Sequence, residues 1–507
     1  MKCCSMTHIV LILSMVFVWS ACSASKPAAV ETVPQAPDTE ETAPTPVKNT
    51  DAAAWRQTPP TPGPEPAVVI PVFEQAQLPN GLTVMVVRRP ALPLVSMSLA
   101  LRSGSGEEST PAMEGLADFT YEMMLEGTQT KDAIALSEAF ADLGTQMVVH
   151  TSEDGAAFKA LLLRKNLDAG LDLLNEILTE PAFKKKDFTR KKKERIADLQ
   201  SLLGNPNYIS KNAIALQVYG ATHPYGHPVM GTPAVVDAYT LKALKRFYKT
   251  HVMPANAALV LTGDISLAEA VAVATEKLGK WQNTAKLPVI APIRVDRTKL
   301  PTFSLAMVEK PGMNQTIIAA GVEALPVGDP DEWALRVAID AFAGMFGSRL
   351  NMNLREDKGY TYGARGHLDA MYLDGAAMLS TSVQADVTGA ALSEVLKEFD
   401  SLKRHPITEA EFNAARENVL KSVSGWFEDV SGLGNAAQSI FERHLPLSRY
   451  ADMVAAYRKL TLDDVRAAAD KYLDPSLIQI VLVGDPAIID AQLKDSPTGE
   501  PSVITLE

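Results

Sequence analysis

The stretch NAALVLTGDIS, Asn256–Ser266, returns near the other end of the chain as LIQIVLVGDPA, Leu477–Ala487, with Gly263 and Gly484 separated by 221 positions. Each copy is a short apolar run closed by Gly-Asp, which reads as a buried strand ending in a turn. Two further echoes fall in the same register. EDGAAFKALLL (153–163) matches LDGAAMLSTSV (373–383), whose Gly155 and Gly375 lie 220 apart, and the helix-period segment 115–125 overlays an apolar one at 336–346. Three matches at offsets of 220 to 221 imply two related halves, 68–280 and 301–495. A linker is placed between them at 281–300, around NTAKLPVIAPIRVDRTKLP, and a tail at 496–507.

The local pattern inside the halves is mixed. PNGLTVMVVRR places Asn80-Gly81 between two strand-like runs, a hairpin signal. Val95, Met97, Leu99 and Leu101 alternate with Ser96, Ser98 and Ala100, as in a half-buried strand. Helix-period segments follow at 114–125, 131–143 and 166–179. This order predicts an α+β class with a largely antiparallel sheet and helices in each half.

Composition bounds the function. A chain of 507 residues is too long for one core. With 47% hydrophobic and 21% charged residues it is neither a channel nor a disordered scaffold. A formal charge of -12 argues against nucleic acid as a partner. The basic run KKKDFTRKKKER (184–195), eight basic residues in twelve, is accordingly read as a solvated helix face.

All three cysteines, Cys3, Cys4 and Cys22, lie at the amino end, so the folded body has no thiol for a disulfide or a thiolate zinc site. Lys2 precedes an apolar run from Ile9 to Trp19, of signal-peptide rather than membrane-spanning length. Trp19-Ser20-Ala21-Cys22 resembles a bacterial lipobox, although Trp19 stands where an aliphatic residue is usual. On that reading residues 1–21 are removed and Cys22 is lipidated, with Ser23 after it favouring the periplasmic face of the outer membrane. The tract 22–67, rich in Pro, Ala, Thr and Glu, cannot bury a core and is expected to be an extended linker.

From residue 70 onward the chain resembles the insulinase/pitrilysin family in its two-domain, processing-peptidase-like form. The resemblance is carried by GLADFTYEMMLEGT (115–128), HPYGHPVMGTPAVVDAYTLKALKRFYKTHVMPANAALVLTGDI (223–265), FGSRLNMNLREDKGYTYGARG (346–366) and KYLDPSLIQIVLVGD (471–485). It implies two αβ domains closed like a clamshell around a chamber for unfolded peptide. Active members carry an inverted zinc motif, HxxEH, whose histidines bind zinc and whose glutamate polarises water. The frame puts Asp118 and Glu122 in the histidine positions, Tyr121 in the base position and Asp198 in that of a later third ligand. Tyrosine, with an ordinary pKa of about 10, cannot serve as that base near neutrality. Asp118, Glu122 and Asp198 form either an all-oxygen site suited to Ca, Mg or Mn or, the reading favoured here, the remains of a decayed site. His223 and His227 in HPYGHP are read as loop residues rather than metal ligands, because Pro224 and Pro228 interrupt a helix there.

LREDKGYTYG matches the family segment in which an arginine and a tyrosine seven residues later hold the substrate carbonyl as it becomes an oxyanion; Arg355 and Tyr362 have that spacing. The alternative is that Arg355 pairs with Glu356 or Asp357 and Tyr362 is core. In heterodimeric members one subunit carries the zinc helix and the other the Arg/Tyr pair. The expectation is therefore a non-catalytic subunit without a metal of its own. It would lend Arg355 and Tyr362 to an HxxEH-bearing, zinc-binding partner, grip an extended peptide and be held to the membrane by its lipid. The alternatives are a lone metallopeptidase working through the carboxylates and a peptide-binding scaffold.

Overall fold

The computed structural model describes residues 68–283, 285–286, 302–494 and 496–505, apart from 109, 111 and 112. The segments 1–21 and 22–67, with Cys22, and most of the linker at 281–300 lie outside the described residues.

The first half forms a six-stranded sheet from β1 (Glu74–Gln77), β2 (Thr83–Arg88), β3 (Leu94–Leu101), β4 (Val148–Thr151), β5 (Ala156–Leu163) and β6 (Ala257–Gly263), in the order β1-β2-β6-β3-β5-β4. The second half uses β7 (Ser304–Glu309), β8 (Gln315–Glu323), β9 (Thr361–Ala370), β10 (Gly375–Gln384), β11 (Gln479–Gly484) and β12 (Ser502–Val503), in the order β12-β7-β11-β8-β10-β9. The sequence echo is a structural one: β6 runs parallel to β2 and antiparallel to β3, as β11 does to β7 and β8. Only the outermost strand differs. The first sheet is extended by the hairpin partner β1, which turns back at Gly81 with φ 94°, and the second by the tail strand β12, parallel to β7.

The second face of each sheet explains why the echoed strands are apolar throughout. The helix Pro206–Tyr219, from the first half, lies on β8 and β11 of the second; the helix Val430–Glu442, from the second half, lies on β3 and β6 of the first. Ile209, Ala213 and Val218 pack on Ile317, Ala319 and Val481, while Leu433 and Ala437 share a core with Ala100, Ala258 and Val260. Covered on both faces, all seven residues of β6 are buried and the period-two alternation of a half-exposed strand is lost. Close approach is permitted where a side chain is missing: a Cβ on Gly321 would stand 2.6 Å from Val218 Cγ2. The halves thus close on each other by exchanging helices, as the clamshell resemblance implies. A polar joint accompanies the exchange: Asp154 accepts hydrogen bonds from the Tyr225 hydroxyl, the Tyr372 amide (3.1 Å) and Arg443 Nε (2.8 Å).

Candidate functional site

The zinc-frame helix is Leu116–Met124, and Gly115 starts it in the left-handed region, φ 76°. A Cβ there would meet the Met230 carbonyl carbon at 2.4 Å, so glycine is required for this helix to abut the 230–231 loop. Its orphan amides find a partner far from the usual capping position. Glu108 accepts from Gly115 N at 2.9 Å and Ala117 N at 2.8 Å, satisfying helix-start donors and placing a carboxyl at the positive end of the helix dipole. Burial nevertheless pushes the Glu108 carboxyl well above its ordinary range.

One face of this helix, including Phe119, Tyr121 and Met123, is buried in the first-half core. The other carries Asp118 and Glu122, with Glu126 four residues further on, and faces the helix Lys185–Leu202. Arg195 comes from that second helix and is 2% exposed. Its Nη2 lies 2.7 Å from Asp118 Oδ2 and 2.8 Å from Glu122 Oε1, and its Nη1 donates to the Met230 carbonyl at 3.3 Å. Lys191 Nζ adds longer contacts to Glu122 (3.6 Å) and Glu126 (3.7 Å), and Arg190 pairs with Glu126 and Glu194. Burial works against the Arg195 charge, but Asp118 and Glu122 overcome it and hold the guanidinium above its ordinary pKa. Burial also raises the Asp118 carboxyl, and Arg195 opposes that rise. A fixed organic cation therefore stands between the two carboxylates that occupy the histidine positions.

These residues do not fit zinc. Zinc sites need three or four converging N, S or O donors; here two carboxylates are engaged by one guanidinium, and no group of three or more His, Cys, Asp or Glu residues suited to a metal occurs among the described residues. Asp198 does not join the pair. It is exposed on the Lys185–Leu202 helix, and the residue that reaches Asp118 and Glu122 is Arg195, three positions earlier. Tyr121, in the base position, is fully buried between Phe158 and Phe247, and its hydroxyl donates to the Ser103 carbonyl at 2.8 Å. Burial raises its pKa further, so it stays a donor. The histidines of HPYGHP each have a partner other than a metal. His223 Nδ1 accepts from Tyr225 N at 3.0 Å while burial lowers its pKa to about 4, and His227 Nδ1 lies 2.9 Å from Glu114.

The basic run is thus more than a solvated face: Arg190, Lys191, Lys192 and Arg195 all have acidic partners in the first half. The sequence holds a signal for this. Acids at 118, 122 and 126 repeat at helical spacing, and so do bases at 191 and 195, two stripes that can lie face to face.

In the second half the helical turn Met352–Asp357 carries Arg355, and Tyr362 follows at the start of β9, the outer strand of its sheet. Tyr362 is 93% exposed, so it is not core. Arg355 Nε does contact Glu356, at 3.2 Å, with both side chains about two-fifths exposed (39% and 42%), and its guanidinium lies over the Phe346 ring, 4.6 Å from the centroid. Phe346 is itself 62% exposed.

Two adjoining family signatures match the chain: Insulinase (Peptidase family M16) over residues 83–232 and the Peptidase M16 inactive domain over 238–419. An uncharacterized zinc protease of Streptomyces coelicolor is 25% identical over 421 residues, covering 80% of this chain and 89% of that protein. One from Bacillus subtilis is 24% identical over 68% of this chain and 82% of its own. Among solved structures, a peptidase M16 inactive domain from Pseudomonas fluorescens superposes with a TM-score of 0.72 at 25% identity, over 82% of this chain and 98% of that one. A protease from Helicobacter pylori superposes with a TM-score of 0.75 at 18% identity, over 82% and 100%. The chain belongs to the insulinase family, peptidase family M16.

Proposed function

We propose that this chain is the zinc-lacking subunit of a two-chain zinc protease, which closes the peptide chamber and lends Arg355 and Tyr362 to the active site of an HxxEH-bearing partner. The observation that carries the reading is Arg195, whose guanidinium sits between Asp118 and Glu122 where a member of this family would need a metal. With Tyr121 donating its proton to a carbonyl, the residue at the base position of the zinc-frame helix cannot take a proton from water. Arg355 and Tyr362 stand at the surface, as groups meant to act on a second molecule must. A guanidinium and a phenol are donors able to stabilise an oxyanion. The outer edge of β9, beginning beside Tyr362, offers backbone groups to an extended peptide, a mode that reads main chain rather than side chains. In this reading Cys22 carries a lipid that holds the chain at the periplasmic face of the outer membrane.

The test is cleavage of a fluorogenic peptide by this chain, by an HxxEH-bearing family member from the same genome, and by the mixture, each with and without chelator. Activity confined to the mixture and lost on chelation and on Arg355→Ala supports the reading. Chelator-sensitive cleavage by this chain alone overturns it, and a mixture indifferent to Arg355→Ala and Tyr362→Phe reduces the chain to a scaffold.

A further inference from the structure

Where the Pro206–Tyr219 helix crosses the second sheet, a cavity of about 470 Å³ opens between the helix and strands β8, β9 and β10, within the size range of small-molecule sites. Its floor is apolar, with Ile214, Ala319 and Met378. Most charged groups in its wall are already engaged: His367 with Asp369, Arg336 with Glu332 and Arg443 with Asp154. Three polar groups have no close partner. Among the described residues, the side chains of Glu153 and Lys211 have neither an ion pair nor a hydrogen bond, Lys211 acting only at longer range on His367 and Asp369, and the Tyr219 hydroxyl is buried without an acceptor. Burial and the surrounding carboxylates, Asp369 and Glu153 among them, keep that phenol protonated. A buried donor without a partner is costly, so such a group is expected to meet an acceptor from elsewhere.

The buried Tyr219 hydroxyl, the half-buried Glu153 and the exposed Lys211 describe a complementary molecule. It needs a cation for Glu153, an acceptor for Tyr219, an anion for Lys211 and an apolar part for the floor. Lys211 and Tyr219 are eight residues apart on one helix, about 12 Å along its axis, and three extended residues span about 10 Å. We propose that this cavity binds a short peptide of two or three residues with both ends free, its ammonium toward Glu153, a carbonyl on Tyr219 and its carboxylate toward Lys211. The inference does not depend on Arg355 or on a zinc partner.

Calorimetric titration of the whole chain with Ala-Leu-Ala tests it. Saturable one-to-one binding is expected, weakened about tenfold by acetylating the amino end and about tenfold by amidating the carboxyl end. Glu153→Gln should abolish sensitivity to acetylation and Lys211→Met sensitivity to amidation, since each removes the partner of the group altered. Both residues are at least partly exposed, so the fold is retained, and Tyr219→Phe removes only an unpaired hydroxyl while weakening binding. Absence of saturable binding at millimolar peptide, or equal binding of the doubly blocked peptide, overturns the proposal.

Discussion

Two arginines, one in each half, show how the same side chain serves opposite ends. Arg195 is 2% exposed and engaged by two carboxylates and a carbonyl; Arg355 has one contact with a neighbouring glutamate and rests on an exposed ring. Water makes the difference. A buried guanidinium has lost its hydration and depends on every partner it has, whereas a solvated pair is worth only about 0–1 kcal/mol and is easily exchanged for another partner. The first half fastens its two helices through a buried cation, and on the proposed reading the second half keeps its donors available.

Removing the buried arginine should have the largest effect. Arg195→Leu leaves Asp118 without its cation and Glu122 with only the longer Lys191 contact, and about 3–5 kcal/mol of stability should be lost in urea unfolding. The triple variant with Asp118→Leu and Glu122→Leu should recover most of it, because the uncompensated charges leave together. If Arg195→Leu alone costs less than about 1 kcal/mol, the two arginines are energetically alike and the contrast fails. Arg355→Ala should show the reverse profile: unfolding unchanged to within about 0.5 kcal/mol, with cleavage by the two-chain mixture down about 100-fold or more, the usual cost of one oxyanion donor.

The fold was more legible in the sequence than the site was. The repeat at Gly263/Gly484 and Gly155/Gly375 reappears as equivalent strands, and the helix periods at 114–125 and 166–179 as Leu116–Met124 and Leu167–Thr179, because burial on a fixed period leaves a direct trace in the chain. The helix exchange left no such trace, since an apolar face says what it avoids and not which sheet it meets. In the site, the family frame points to Asp198, but side-chain direction on a helix turns by about 100° per residue. A count three positions off therefore lands on the solvent face instead of on Arg195. Glu108 was missed for a related reason: it caps a helix from seven residues before Gly115, a partnership that loop geometry alone creates.

A buried carboxyl with no guanidinium in contact lies between the two arginines in character. Glu442 accepts from Gln438, and burial raises its pKa to about 8, with Asp154 adding to the rise and Lys159 and Arg443 opposing it. A carboxyl whose folded pKa lies above its unfolded value of about 4.3 stabilises the fold fully below that value and loses the contribution as pH rises through the folded one. Thermal midpoints should therefore decline between about pH 5 and pH 8. Glu442→Gln, which retains an acceptor for Gln438, should flatten the decline, and an unchanged slope would show that this carboxyl is ionised throughout.

The smallest effect is expected at Asp198, and it sharpens the contrast most economically. Asp198 is exposed and shares its helix with Arg195, yet only Arg195 reaches Asp118 and Glu122. Asp198→Ala should leave unfolding within about 0.5 kcal/mol, as exposed substitutions usually do, and leave cleavage by the mixture unchanged. Calcium or manganese added to the unaltered chain should not shift its thermal midpoint, because a ligand stabilises only in proportion to its binding to the folded state. A shift that disappeared in Asp198→Ala would mean that the three carboxylates do converge on an ion and that Arg195 yields its place to it. The first half would then hold a working hard-cation site, and the difference between the two arginines would be one of occupancy rather than of burial.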